Sequence, residues 1–173
     1  GLQEVMPAQV LDVQEALSKA GYTCTSQLRD GSDSESILIA VREPWQVAQR
    51  GAFWLAVDSP NEPGSKAPGA KHPRVALWAA LRTKEPNSRQ LLFLATHLDH
   101  PTTETGEQIR TASAAQIGEF LQNDWADWPS VVVALADVAT LLRSVDGLVA
   151  ASCCLLLLAA ACCCCLLLRL CLW

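Results

Sequence analysis

Up to residue 147 the chain has almost no cysteine. Cys24 stands alone there, so no disulfide framework staples this region and an apolar core must hold it. Positive charge is short as well: residues 1–147 carry all 18 acidic side chains against 12 of the 13 Lys and Arg, a balance of −6. Nucleic-acid binding is normally driven by clustered Lys and Arg, so charge lends nucleic acid no support as a partner. A phosphoester substrate stays open, because a bound divalent cation supplies positive charge locally. The opening "GLQEVMPAQV" has neither the basic stretch nor the apolar run of a secretory signal, and no compartment is assigned. Histidine is also scarce. Two of the three fall together in "LLFLATHLDH" (91–100), which singles out His97 and His100.

Residues 148–173, "LVAASCCLLLLAAACCCCLLLRLCLW", lack acid and histidine altogether, and hold one base (Arg169) and seven of the eight cysteines. This run exceeds the ~20 apolar residues that a bilayer-spanning helix needs. One reading is a tail anchor, which would make the membrane a partner and expose the cysteines to palmitoylation. The other is a low-complexity, out-of-frame reading of GC-rich sequence. We therefore divide the chain into 1–147 and a Cys/Leu-rich apolar tail, 148–173.

Within the first part, Met6, Val10, Val13 and Leu17 recur at helical spacing, with Pro7 suited to the first turn and Gly21 to the stop, which predicts a helix over 7–20. "TCTSQLRDGSDS" (23–34) reads as a loop or short edge strand, and "SILIAV" (36–41) and "GAFWLAV" (51–57) as strands. Pro, Gly, Ser and Lys make 58–73 a loop. "RVALWAALR" (74–82) and "LLFLATHL" (91–98) flank the polar turn "TKEPNSRQ" and predict antiparallel neighbours. A second helix is expected at 107–122, with Ile109, Ala112, Ile117, Phe120 and Leu121 on one side, and a buried strand at 130–136. The class is α/β or α+β.

Glu4, His97, Asp99 and Asp137 each fall at or near the C-terminal end of an expected strand. Carboxylates gathered at a sheet edge suit Mg²⁺, which takes carboxylates, water and substrate phosphate. A histidine beside them can bond a phosphoryl oxygen, and an oriented Asp can activate water. Spacing alone leaves the plainer readings open: His97 as a strand-end histidine, Glu4 as a solvated residue before a helix, Asp137 as a turn residue.

Several ordered blocks carry a resemblance. "GLQEV" with Gln9 and Leu11, then "GY", "FWLAVDSPNEPGSK", "PRVALWAALR", "LLFLATHLDH" and "IRTASAAQIGEFL" are similar in order and spacing to blocks of the endonuclease/exonuclease/phosphatase superfamily. That superfamily includes deoxyribonuclease-like nucleases, deadenylases, sphingomyelinases and inositol-phosphate phosphatases. The resemblance implies a two-sheet sandwich inside outer helices, of which this chain would carry the N-terminal half. It implies hydrolysis of a phosphoester with Mg²⁺ (or Mn²⁺). Glu4 then matches the metal-binding glutamate, and His97 the histidine that faces the scissile phosphate. Asp99, His100 and Arg110 match supporting positions, as do Arg74 and Trp78.

Departures from the pattern bear on activity. The family's "GDFN" block corresponds to "VVVALADVATLL" (131–142), where one inserted residue brings Asp137 onto the Asp and leaves Ala139 in place of the Asn. Ala95 replaces the Asn before "THL", and no acid or histidine follows residue 147 to supply the family's closing Asp–His pair. The expectation is a phosphoester hydrolase by ancestry, impaired in this chain. A catalytically inactive fragment, or a membrane-tethered interaction module, is the alternative.

Overall fold

The computed structural model describes residues 1–31, 33–85, 88–100 and 103–126, and the backbone of strands 130–136, 154–161 and 164–169. The elements run β1 (Leu2–Val5), α1 (Pro7–Lys19), β2 (Thr23–Leu28), β3 (Ser36–Val41), β4 (Trp45–Trp54), β5 (Val75–Thr83), β6 (Gln90–His97), α2 (Glu104–Asp124), β7 (Ser130–Ala136), β8 (Cys154–Ala161) and β9 (Cys164–Arg169). Two sheets form, one of order β1-β3-β2 and one of order β4-β5-β6-β7-β8-β9. The architecture is an α+β sandwich, with α1 against the first sheet and α2 against the second.

Alternation builds the layers. Along β5, Val75, Leu77, Ala79 and Leu81 join Ile37, Ile39 and Val41 of β3 in one apolar cluster between the sheets. The intervening Ala76 and Ala80 pack with Leu92, Leu94, Leu98 and the α2 residues Ala114 and Ile117 in a second cluster. Side chains of a strand alternate faces, so a central strand covered on both sides must be apolar throughout. On β6 the same rule sends Leu91, Phe93 and Ala95 to the inter-sheet cluster and Leu92 and Leu94 to the helix side. His97 continues the odd-numbered face. Its position follows from period two.

Local chemistry sets the helix ends. At the end of α1, Tyr22 N–H donates to the Leu17 carbonyl and Gly21 N–H to that of Ser18, with Gly21 at φ 81°. That pair of bonds closes the helix through a left-handed residue, which glycine adopts without penalty. The second helix starts at Glu104, earlier than the apolar periodicity indicates, because the Thr103 side chain accepts from Gly106 N–H and caps it. Its buried stripe is Ile109, Arg110, Ser113, Ala114 and Ile117, while the expected inward Ala112 is exposed.

The strand expectations at 36–41, 74–82, 91–98 and 130–136 agree with β3, β5, β6 and β7. The polar 23–28 segment is a full edge strand, paired from Thr23↔Val41 to Leu28↔Ser36. Strand β4 begins six residues ahead of the expected start and ends at Trp54, because it is an edge strand whose first half exposes polar side chains. The described stretches of the Cys/Leu-rich tail are the two strands β8 and β9, which extend the second sheet. Among the described residues no helix is long and apolar enough to cross a membrane. An unbroken apolar run has no periodicity that separates helix from buried strand.

Gly51 on β4 lies opposite Trp78 on β5. A Cβ built there would sit 2.6 Å from Trp78 Cζ2 and 2.8 Å from Cε2. The indole is held by Trp125 and Phe120, with ring centroids 5.1 and 5.8 Å away. Gly51→Ala is expected to destabilise the fold by about 1–3 kcal/mol through overpacking. Urea denaturation measures this, and an unchanged midpoint would mean that the indole pivots freely.

Candidate functional site

Glu4 enters from β1 and His97 from the end of β6, two strands in different sheets. The short strand β1 pairs with β3 from Leu2↔Leu38 to Val5↔Ser36, with its register broken between those pairs. Glu4 sits in that break at φ 57°, the sole non-glycine residue with positive φ among the described residues. A left-handed conformation is costly for a residue with a Cβ, and such strain concentrates at functional sites. Its effect here is to place the carboxylate beside β6 rather than in the ladder. Glu4 Oε1 stands 3.7 Å from His97 Nε2 and 3.9 Å from His100 Nε2. The two imidazoles meet edge to face, with centroids 4.3 Å apart. His97 is buried, while Glu4 and His100 are more than half exposed.

Directly after this group the chain is clamped. Asp99, 3% exposed, accepts from Arg74 Nη2 at 3.3 Å through Oδ1, and its carbonyl accepts from Arg110 Nη1 at 3.1 Å. Burial pushes the Arg74 guanidinium below its ordinary pKa, against the opposing pull of Asp99. On the other flank, Arg29 pairs with Glu35 at 2.7 Å and with Asp30 at 3.7 Å. Trp54 Nε1 donates to the Arg29 carbonyl at 2.6 Å. Glu4, His97, Arg29, Glu35 and Arg74 line one small cleft between the sheets.

Of the residues singled out in the sequence, Glu4, His97 and His100 come together, and Asp99 and Arg110 form the clamp beside them. Asp137 lies outside the described residues. The strand before it, β7, runs parallel to β6 and ends with Ala136 opposite His97. Sequence reasoning missed Arg29, within the segment 23–34 read as a loop or short edge strand, and Glu35, between it and the strand at 36–41. Their signal was a pair of opposite charges six residues apart across a turn, too common a pattern to stand out.

No protein-family model and no curated protein matches the chain. Solved structures do. An endonuclease/exonuclease/phosphatase family protein from Bacteroides thetaiotaomicron is 32% identical, with a TM-score of 0.59 over 69% of this chain and 42% of that one. The endonuclease/exonuclease/phosphatase from Bacteroides vulgatus is 26% identical, with a TM-score of 0.72 over 85% of this chain and 56% of that one. The chain resembles part of the endonuclease/exonuclease/phosphatase domain. It spans about half the length of these family members. ANGEL2, a 2′,3′-cyclic phosphatase, shares the fold at 16% identity and a TM-score of 0.56, over 78% of this chain and 37% of its own. The architecture is thus a phosphoester hydrolase fold.

The donor set bears on whether a divalent cation fits here. Mg²⁺ keeps several waters and is held by one or two carboxylates plus substrate oxygens. Glu4 offers one such carboxylate, 60% exposed to water, on the solvent side of the group. The residues fit.

Proposed function

We propose that the chain is a phosphoester hydrolase by ancestry whose surviving site pairs Glu4 with His97, and whose turnover is impaired. The observation that carries this reading is the approach of Glu4 Oε1 to within 3.7 Å of His97 Nε2, from opposite sheets. Glu4 would hold Mg²⁺ or Mn²⁺, which when bound would neutralise charge on the phosphate and polarise the P–O bond. His97, held on the inter-sheet face by β6, is placed to donate a hydrogen bond to a phosphoryl oxygen. Its burial keeps that bond out of competition with water, which strengthens it. Asp99 acts at a distance: clamped by Arg74 and Arg110, it fixes the backbone that follows His97. Asp137 is assigned the orientation of the attacking water, on the strength of its place directly after β7.

Impairment follows from side chains that cannot donate. Ala95 and Ala139 stand where the family pattern has Asn, and a methyl group offers no hydrogen bond to phosphate. Members of a catalytic unit lose rate together, so two such gaps remove most of it. We expect no measurable Mg²⁺-dependent hydrolysis of bis-p-nitrophenyl phosphate by the 173-residue chain. We also expect inorganic phosphate with Mg²⁺ to raise the thermal midpoint, and His97→Ala to erase that rise. Turnover abolished by EDTA and by His97→Ala would overturn the impairment. A midpoint indifferent to phosphate and Mg²⁺ would overturn the phosphoester site.

A further inference from the structure

His100 has no assigned part in the hydrated-Mg²⁺ reading, yet it completes a different donor set. Glu4, His97 and His100 each present a ligand atom, and these atoms lie within 4.8 Å of one another. Two imidazole nitrogens and one carboxylate oxygen are poor company for Mg²⁺, which favours oxygen, but they suit borderline transition cations and Zn²⁺ above all. Three protein ligands with an open fourth position are the usual composition of a reactive zinc site.

The distances are compatible. Ligand atoms about 2.0–2.2 Å from a tetrahedral Zn²⁺ stand roughly 3.3 Å from one another. The gaps of 3.7 and 3.9 Å from Glu4 Oε1 to the two Nε2 atoms therefore need to close by about 0.5 Å, and the widest separation in the group, at most 4.8 Å, by up to about 1.5 Å. The side chains that would move are the exposed ones, Glu4 and His100, while buried His97 serves as the fixed ligand. The left-handed turn at Glu4 already carries its carboxylate to the two rings, so part of the ordering cost is met by the fold.

We propose that Glu4, His97 and His100 form a Zn²⁺ site, with His100 as the ligand that distinguishes it from the hydrated-Mg²⁺ site sharing Glu4. Binding of Zn²⁺ would take both Glu4 and His97, and so compete with Mg²⁺ and phosphate. The site does not depend on hydrolysis, and it stands or falls apart from the phosphate-binding test above.

The test is calorimetric titration of ZnCl₂ into the full chain after its cysteines have been alkylated, since thiolates would otherwise compete for the ion. One Zn²⁺ per chain is expected, with Kd raised at least tenfold in His100→Ala and in Glu4→Gln. Co²⁺ titrated into the same alkylated protein should give the visible d–d bands of a four-coordinate site, lost in His100→Ala. His100 is half exposed, so this variant should fold, which its circular dichroism melt would verify. Absence of stoichiometric binding would overturn the proposal. So would equal Zn²⁺ affinity in the parent and His100→Ala, which would place the ion elsewhere.

Discussion

Arg74→Leu is expected to cost about 3–5 kcal/mol of folding stability, because it leaves Asp99 as a buried charge without its partner. Both side chains are at most 5% exposed, so each has given up most of its hydration. Their contact is one hydrogen bond of 3.3 Å rather than a two-pronged one. Arg74 Nε and Asp99 Oδ2 are buried and make no hydrogen bond among the described residues. Desolvation outweighs the help of Asp99 in depressing the Arg74 pKa. The pair as a whole therefore contributes little net stability, although breaking it is expensive. Replacing both residues, Arg74→Leu with Asp99→Leu, should cost markedly less than the two single changes added together. Guanidinium denaturation of the four proteins measures the coupling. A single-variant cost below about 1 kcal/mol would mean that water reaches the pair and that the clamp does not hold the chain after His97.

This clamp also marks where sequence reasoning stops. Apolar alternation along β3, β5 and β6 was legible because a strand covered on both faces has no other way to satisfy its environment. The same alternation carried His97 to the inter-sheet face, since it continues the series Leu91, Phe93, Ala95. Side-chain partners across long sequence separations carried no such signal. Asp99 sits within "THLDH", two residues after His97 and one before His100, yet its carboxylate turns to Arg74, 25 residues away, and its carbonyl to Arg110, 11 residues away. Edge strands were the other loss. Segments 23–28 and 45–50 are polar because one of their sides meets solvent, and polar alternation resembles loop composition. In the tail the difficulty was reversed, as Leu, Ala and Cys in blocks satisfy helix and strand equally.

The backbone at Glu4 was the least legible feature, and it yields the second large expected effect. Glu4→Gly should leave the fold slightly more stable while removing its response to divalent cations. A left-handed residue with a Cβ costs about 1–2 kcal/mol, and glycine in a strand gives back about 0.5–1 kcal/mol of that through its extra freedom when unfolded. The net gain is then about 0.5–1 kcal/mol. Little is lost on the other side, because the contacts of Glu4 with His97 and His100 span 3.7 and 3.9 Å at a carboxylate 60% exposed to water. Glu4→Asn is the companion variant, since asparagine tolerates the left-handed region and keeps an oxygen while discarding the charge. Both variants should bind Mn²⁺ at least tenfold more weakly than the parent in a spin-resonance titration, and both should melt no earlier. A residue kept in a strained conformation at no benefit to stability is one whose position serves the site. If Glu4→Gly instead lowered stability by more than about 1 kcal/mol, Glu4 would be holding the two histidines for the sake of the fold, and the strain at φ 57° would have a structural cause.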